Sequence, residues 1–289
     1  MTTLRSLLFI PGNKEHMLEK AFTSSADAIV PDMEDSVPDA EKAAAAKLIA
    51  DFLPRLRETG RFVCPRVNAL ETGLTQSELE AVVGPNIDGI SIGKIRSPSD
   101  ISEVSQRIGA LERARGIEHG SIALIPWLET AQAIVEAHAI CRSSRRIVAV
   151  AFGAEDFTND MGIEHVEDES NLSFARSSIC IAARAAGVAA LDTPFFRFRD
   201  LEALREHSLR SRGMGFKGRF AIHPAQTEVI NECFSPSEAE VAQAQRIVEA
   251  YEAAERQGRA STSLDGLVID VPVVKRARAL LALAAGNPG

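Results

Sequence analysis

The sequence predicts an α/β protein built as a closed (β/α)8 TIM barrel, followed by a C-terminal helical extension. Short apolar runs of strand length alternate with amphipathic helical stretches, and this alternation repeats eight times. No Gly-x-Gly-x-x-Gly motif follows the first strand, so the alternative of an open dinucleotide-binding sheet loses its main support. A chain of 289 residues can hold one barrel, which commonly takes about 250 residues, and a tail.

Each predicted strand is an apolar run that stops at turn-forming or polar residues. The eight runs are residues 5–10, 28–33, 61–67, 88–94, 122–128, 146–152, 188–193 and 219–223. A segment of helical character follows each strand, for example residues 40–52 after the second and residues 173–186 after the sixth.

The region after the eighth strand does not continue the repeat. Residues 235–257 predict a helix, with Ser235-Pro-Ser-Glu238 as its capped start, and residues 258–264 predict a polar linker. A turn and a terminal helix over residues 273–285 complete the chain. We therefore predict a barrel domain over residues 1–233 and an extension over residues 234–289 that is either a packed tail or a lid.

Composition excludes several classes of function. A net charge of −8 argues against nucleic acid or another polyanion as the partner. The four cysteines are scattered, which indicates neither a disulfide framework nor a zinc site and favours a cytoplasmic location. No long apolar segment precedes the first strand, so no membrane association is expected.

Polar residues follow every predicted strand, at the end of the barrel where enzymes of this fold place their catalytic groups. The strand ends carry Asn13 and Lys14, Glu34 and Asp35, Arg66 and Asn68, Lys94, Glu129, Glu155 and Asp156, Asp192, and His223. Five or more acids at one rim would repel each other and raise their pKa values unless a cation and internal pairing compensate them.

Glu129 and Asp156 end neighbouring strands, and paired carboxylates with open coordination suit Mg²⁺. Stabilisation of a helix N-terminus is the alternative role for either acid. Arg66 can pair with Glu34 or Asp35, bind a substrate carboxylate, or do both. Gly153 either ends a strand or, with the backbone NH groups of Ala154 and Glu155, forms an anion pocket.

Two basic clusters lie before predicted strands and therefore toward the opposite rim. They comprise Arg142, Arg145 and Arg146 before the sixth strand, and Arg210, Arg212, Lys217 and Arg219 before the eighth. We expect them to be solvated or to contact another subunit.

Seven motifs, in order along nearly the whole chain, resemble those of the citrate lyase beta subunit and malyl-CoA lyase family, the CitE-like members of the HpcH/HpaI aldolase superfamily. They are residues 6–16 (SLLFIPGNKEH), 32–37 (DMEDSV), 65–68 (PRVN), 128–130 (LET), 152–156 (FGAED), 222–226 (IHPAQ) and 269–272 (IDVP).

The resemblance implies a Mg²⁺-dependent barrel enzyme, trimeric or hexameric, that cleaves or forms a carbon–carbon bond in 3-hydroxyacyl-CoA thioesters such as citryl-CoA, malyl-CoA or citramalyl-CoA. Its products are an acyl-CoA and a 2-oxo acid. Glu129 and Asp156 would bind Mg²⁺, and Arg66 with the backbone of residues 153–155 would hold the oxo-acid carboxylate. Glu34 and Asp35 would organise Arg66 and metal-bound water.

Asp270 would correspond to the acid that the C-terminal lid offers to a neighbouring subunit's site, where it would transfer the proton. The chain departs from the family pattern at Gly93 and Arg96, which leaves the acyl group open. The alternatives are a malyl-CoA thioesterase, a 2-oxo-acid aldolase that does not use CoA, and a beta subunit that needs an acyl-carrier partner.

Overall fold

The structure is a computed structural model, and it describes residues 3–286 except residues 165 and 167. The described residues form two compact units, 3–231 and 232–286. No helix in the described part of the chain is both long enough and apolar enough to span a membrane.

The first unit contains a parallel sheet of nine strand segments. These are β1 Ser6–Pro11, β2 Ala28–Asp32, β3 Phe62–Val63, β4 Arg66–Val67, β5 Gly89–Ile92, β6 Ala123–Leu128, β7 Ala149–Phe152, β8 Ala189–Asp192 and β9 Gly218–Ala221. Both β3 and β4 pair with β2, so they are two halves of the third barrel strand. The strand is interrupted beside Pro65, which has no backbone NH to donate to the ladder.

Pairing of β1 with both β9 and β2 closes this sheet into a barrel. Every pair is parallel, and consecutive barrel strands are neighbours. The prediction of a (β/α)8 barrel is therefore confirmed.

Helices connect the strands, as expected where parallel neighbours need crossover connections. They are α1 Glu15–Ala21, α2 Lys42–Glu58, α3 Thr75–Val82, α4 Pro98–Ala114, α5 Ala131–Val135, α6 Ala137–Arg142, α7 Ala154–Met161, α8 Ser173–Ala186, α9 Leu201–Met214 and α10 Ala225–Phe234. The structure confirms the bounds predicted for α8. It extends α2 beyond the predicted end and through Pro54, where buried Phe52, Leu53 and Leu56 hold the last turns in place.

Alternate residues of the strands fill the barrel interior. Leu7, Val30, Ile125, Ala151 and Leu191 belong to one buried cluster with residues of the other strands. Near the end of the barrel where the strands stop, the rings of Phe9, Trp127 and Phe220 pack together, with centroids 4.4 to 5.6 Å apart. This aromatic layer closes the interior below the residues that follow the strands.

The second unit consists of α11 Glu238–Glu255, a hairpin of β10 Thr262–Leu264 and β11 Leu267–Ile269, and α12 Val271–Ala284. Tyr251, Ile269 and Val274 form its small core. The capping box of α11 uses Ser237 and Glu240, two residues later than the predicted start.

The hairpin replaces the linker and the turn that the sequence predicts for this segment. Asp265 and Gly266 both have positive φ, which is the conformation that an Asp-Gly hairpin turn requires. The side chain of Asp270 caps α12 by accepting a hydrogen bond from the Val273 NH at 3.2 Å.

Candidate active site

The period of two along the strands places polar residues above the apolar interior. Ala28 and Val30, Ile125 and Trp127, and Ala149 and Ala151 point into the barrel. Because side chains two residues apart point to the same face of a strand, the next inward-facing residue of each strand lies at the open end of the barrel. These positions are Asp32, Arg66, Glu129, Gly153 and Thr193, and we call this end of the barrel the mouth.

Arg66 is the centre of the charge network at the mouth. Its Nε and Nη2 donate to both oxygens of Asp32, at 2.6 and 2.8 Å, and its Nη1 lies 2.9 Å from Glu34 and 3.0 Å from Asp35. The guanidinium also lies 4.4 Å from the centre of the Phe9 ring. Burial lowers the pKa of Arg66, but the three carboxylates outweigh burial and raise it. Arg66 therefore stays charged.

Asp32 and Glu34 have opposite pKa shifts although both are buried. Burial works against ionisation of Asp32, but Arg66 and Ser36 outweigh it and lower the pKa of this carboxyl. At Glu34, burial outweighs the attraction of Arg66 and the 3.0 Å ion pair with Lys94, so its pKa is raised. Asp35 is half exposed and adds negative charge beside it.

Glu129 is the least compensated acid at the mouth. It is only 4% exposed, and its Oε1 accepts one hydrogen bond of 2.5 Å from the backbone NH of Lys94. Burial and the nearby charges of Glu34 and Asp156 raise the pKa of Glu129 to about 8. A carboxylate in this setting needs an added positive charge in order to ionise at neutral pH.

Two glycines leave the space that Glu129 occupies. A Cβ on Gly153 would lie 2.2 Å from Glu129 Oε2, and a Cβ on Gly93 would lie 3.0 Å from Glu129 Oε1 and 2.8 Å from Glu34 Oε1. The carboxylates of Glu34 and Glu129 therefore converge over Gly93. Lys94, which follows, has a φ of 55°, an uncommon value for a residue with a side chain.

Glu129 and Asp156, the predicted magnesium ligands, lie close enough to interact electrostatically. Asp156 lies in the first turn of α7, close enough to raise the pKa of both Glu129 and Lys94. Within the described residues, no group of three or more His, Cys, Asp or Glu side chains is arranged to hold a metal. Mg²⁺ does not require such a group, because it is commonly bound by one or two carboxylates plus water and substrate oxygens. Glu129 and Asp156 could supply that pair.

The amides of Gly153 and Ala154, which belong to the predicted anion pocket, have acceptors within the protein. The Gly153 NH donates to Leu128 O at 3.5 Å, and the Ala154 NH donates to Thr193 Oγ1 at 3.3 Å. Both bonds are at or beyond the long end of the usual range for N–H···O bonds. The exposed residue Glu155 follows on the outer side of the turn. The role of this turn in binding a carboxylate stays a prediction.

Asp192 does not belong to the mouth, contrary to the sequence prediction. Leu191 lies in the barrel interior, so Asp192 points outward, where it bonds to Arg176 of α8 and Ser211 of α9. Arg219 completes this cluster with an ion pair to Asp192 and is 0% exposed. The prediction that Arg219 is solvated or contacts a subunit is therefore wrong.

Arg146 is also buried, although the sequence predicted a surface position. Its two terminal nitrogens each lie 2.6 Å from an oxygen of Glu112, which also accepts hydrogen bonds from the NH groups of Gly120 and Ile122. In both clusters an acid from another element neutralises the arginine, and sequence spacing did not reveal that partner.

Asp32 and Thr193 are residues of the mouth that the sequence did not predict, and Lys94 has contacts there that the sequence also did not predict. A signal for Asp32 exists, because it continues the interior positions Ala28 and Val30 at intervals of two. Lys42 was also missed. Its Nζ donates to the Met33 and Glu34 carbonyls, at 3.1 and 2.9 Å, and fixes the segment that carries Glu34.

Of the residues predicted from the family resemblance, the structure brings Glu34, Asp35, Arg66 and Glu129 into one network with Lys94, and Asp156 lies close to it. Asp270 lies in the second unit, where it caps α12. Its catalytic role stays a prediction.

These features define a (β/α)8 barrel protein with an acid-rich, arginine-containing site at the end where enzymes of this fold carry their active sites. Residues 5–224 match the sequence model of the HpcH/HpaI aldolase/citrate lyase family. The chain belongs to this family of lyases.

Named relatives agree with this assignment. The chain is 36% identical to citrate lyase subunit beta of Haemophilus influenzae over 283 residues, which cover 97% of each protein. It is 35% identical to the (3S)-malyl-CoA thioesterase of Cereibacter sphaeroides over 280 residues, covering 97% of this chain and 94% of that protein.

The structure is similar to that of the protein CitE from Mycobacterium tuberculosis, solved in complex with magnesium, acetoacetate and coenzyme A. The TM-score is 0.80 with 28% sequence identity, covering 97% of this chain and 98% of that one.

Proposed function

We propose that this protein is a Mg²⁺-dependent carbon–carbon lyase that acts on a 3-hydroxyacyl-CoA thioester and releases an acyl-CoA and a 2-oxo acid. The observation that carries the proposal is the environment of Glu129, a buried carboxylate beside Glu34 and Asp156 with too little positive charge around it. The CitE structure with magnesium, acetoacetate and coenzyme A supports the same cofactor and substrate class.

Glu129, directly after β6, and Asp156, in the first turn of α7, would hold the ion and leave its remaining positions to water and substrate. Magnesium bound there would supply a Lewis acid for the oxygen of a chelating 2-oxo or 2-hydroxy acid. Glu34 would accept hydrogen bonds from water at the mouth, because its carboxylate oxygens converge with those of Glu129 over Gly93.

Arg66 would orient the carboxylate of the oxo acid. A guanidinium has five N–H donors. Among the described residues, Arg66 makes four contacts to carboxylate oxygens, so one donor remains. The remaining donor is on Nη2. Asp35 is 54% exposed, so a substrate carboxylate could also displace it from Nη1 without disturbing the buried pair with Asp32.

Cleavage requires removal of a proton from the β-hydroxyl and protonation of the acyl-CoA enolate that leaves. We assign proton transfer at the acyl carbon to Asp270, offered by the C-terminal unit acting as a lid on a neighbouring subunit of a trimer or hexamer. Its place at the head of α12 supports this role, because capping fixes the side chain. Asp270→Asn removes the acid that would transfer the proton, so turnover should fall. Asparagine can still cap α12, so the melting temperature and the Mg²⁺ affinity should stay unchanged.

Thioester hydrolysis is a second candidate function, which the likeness to a (3S)-malyl-CoA thioesterase favours. The likeness to citrate lyase subunit beta favours a third, in which activity appears only with an acyl-carrier partner. A 2-oxo-acid aldolase would instead turn over pyruvate and an aldehyde and ignore acyl-CoA. A cytoplasmic location stays a prediction.

The test is an assay of the full chain with malyl-CoA, citryl-CoA and citramalyl-CoA, with Mg²⁺ or with chelator. A lyase releases a 2-oxo acid and acyl-CoA only when Mg²⁺ is present, whereas a thioesterase releases free CoA. Thermal shifts with glyoxylate, oxaloacetate and pyruvate in the presence of Mg²⁺ would identify the oxo acid, since a ligand that binds the native state stabilises it.

Asp156→Ala tests the metal assignment by calorimetry. We expect it to lose Mg²⁺ affinity and turnover, whereas Asp51→Ala, which removes an exposed acid of α2, should retain both. Unchanged Mg²⁺ affinity and turnover in Asp156→Ala would refute the assignment.

A further inference from the structure

An open polar cavity of about 520 Å³ lies along α4 and extends toward the end of the barrel opposite the mouth. It is formed by α4 and by the segments that lead into β6 and β7, and we call it the rim cavity. Its polar lining includes Ser102, Ser105, Gln106, Arg113, His119 and Ser144. The proposed lyase function uses none of these residues.

The residues of α4 that face the rim cavity form one polar stripe. Ser102, Ser105, Gln106 and Arg113 follow the spacing of one helix face, while Ile101, Val104 and Ile108 on the other face are buried. A solvated helix face commonly carries Glu and Lys at such positions. This stripe instead carries hydroxyl, amide and guanidinium groups, which are suited to hydrogen bonding with a ligand.

Two serine hydroxyl groups in the rim cavity, those of Ser102 and Ser144, act as hydrogen-bond acceptors within the protein. Ser144 Oγ accepts from the Ser105 hydroxyl and from the Arg146 NH, each at 3.2 Å, and Ser102 Oγ accepts from Gln106 at 3.3 Å. Each of Ser144 and Ser102 therefore retains a hydroxyl proton for which the described residues provide no acceptor. Both protons are available to a bound acceptor.

The charged side chains that line the rim cavity are those of Arg113 and Arg146. Arg113 forms no ion pair with any carboxylate in the described part of the chain. The adjacent acid, Glu112, is completely buried, and Arg146 neutralises it through both oxygens. His119 lies 3.3 Å from Glu112 and is 63% exposed, so its ring remains accessible to a ligand.

We propose that the rim cavity binds a small oxyanion, specifically a phosphate group. A guanidinium and two hydroxyl donors from separate segments suit a tetrahedral anion with several acceptor oxygens better than a planar carboxylate. The cavity volume falls within the range of small-molecule sites and exceeds that of inorganic phosphate, which leaves room for the group that carries a phosphate monoester.

The test is calorimetric titration of the full-length chain in Mg²⁺-free buffer, with inorganic phosphate in one arm and adenosine 5′-monophosphate in the other. Arg113→Ala should weaken binding by about 10-fold or more, because it removes a charge-assisted hydrogen bond. Ser144→Ala should weaken binding to a smaller extent. Arg107→Ala is the matched control, since Arg107 is on the same helix but pairs with Glu103 and does not line the cavity.

Binding that depends on Arg113 in either arm supports the proposal, and the tighter ligand shows whether free phosphate or a monoester is preferred. Equal affinity in the wild type and Arg113→Ala would show that the anion binds elsewhere, for example at Arg66. That result, or no saturable binding in the millimolar range, would overturn the proposal.

Discussion

Glu112 and Glu129 are buried carboxylates at opposite ends of the same barrel, and their surroundings differ. Burial opposes the charge of Glu112, but Arg146 and the amides of Gly120 and Ile122 outweigh it and lower its pKa to about 2. Glu129 receives one backbone hydrogen bond and has two other acids nearby, and its pKa is about 8. Burial alone therefore does not distinguish a structural acid from a functional one.

The partners of each acid make that distinction. Glu112 links α4 to the segments before β6 and β7, and all its hydrogen-bonding capacity is used within the protein. Glu129 is held in place but left electrostatically incomplete, which is the condition expected of a metal ligand before the metal binds. Four experiments test whether Glu112 and Glu129 differ in this way.

Replacement of Glu112 by Ala should have the largest effect. It leaves Arg146 buried without a counter-charge, and breaking such a pair from one side costs about 3–5 kcal/mol. Urea denaturation at pH 7 measures the loss of unfolding free energy. Glu118→Ala removes an exposed acid from the same region and should have little effect. Equal stability of both variants would show that Glu112 is not a structural acid.

Replacement of Glu129 by Gln should reduce turnover by about 100-fold, or ~2.7 kcal/mol, through loss of a metal ligand. It should not lower the unfolding free energy of the metal-free protein, because a carboxyl group with a pKa of about 8 is mostly uncharged at pH 7 and the amide can still accept from the Lys94 NH. Kinetics and urea denaturation of one preparation give both values. A stability loss as large as that of Glu112→Ala would contradict the distinction.

Replacement of Gly93 by Ala should have an intermediate effect. The added methyl group would contact Glu34 and Glu129 at about 3 Å and force the two carboxylates apart. We expect Mg²⁺ affinity measured by calorimetry to fall by about 10-fold. Gly84→Ala is the control, since its Cβ would lie 3.8 Å from the carbonyl oxygen of Val82, an ordinary contact distance, and its backbone requires no positive φ. Unchanged affinity in Gly93→Ala would show that the carboxylates need not converge there.

The pH dependence of stability should show the smallest effect. A folded-state pKa of about 2 lies below the usual value of about 4.3, so Glu112 stabilises the fold fully above pH 4.3. This contribution is lost as the pH falls toward 2. The stability difference between wild type and Glu112→Gln should therefore narrow by on the order of 1 kcal/mol between pH 5 and pH 3. A difference that does not change over this range would contradict the lowered pKa.

The sequence predicted the barrel well because the alternation of strands and helices is a local pattern that recurs along the chain. It also located Glu34, Arg66 and Glu129, since each stands where an apolar run ends. It failed at Asp192 because strands of a parallel barrel are apolar on both faces, and the pattern then does not show which residues point inward.

The hairpin in the second unit was missed for another reason. Its strands, β10 and β11, have three residues each and pack against only a small core, so their apolar pattern is short. The Asp265-Gly266 pair was the available signal, and it indicates a hairpin when apolar or β-branched residues flank it.

The order of the elements, the closure expected from eight repeats and the acids at the ends of the strands all follow from local sequence patterns. The pairing of charges depends on tertiary contacts. Arg66 meets Asp32 across 34 residues of chain, Arg219 meets Asp192 across 27, and Arg146 meets Glu112 across 34. Such partners are set by barrel register and helix packing rather than by local spacing, and they determine which buried acid remains available for chemistry.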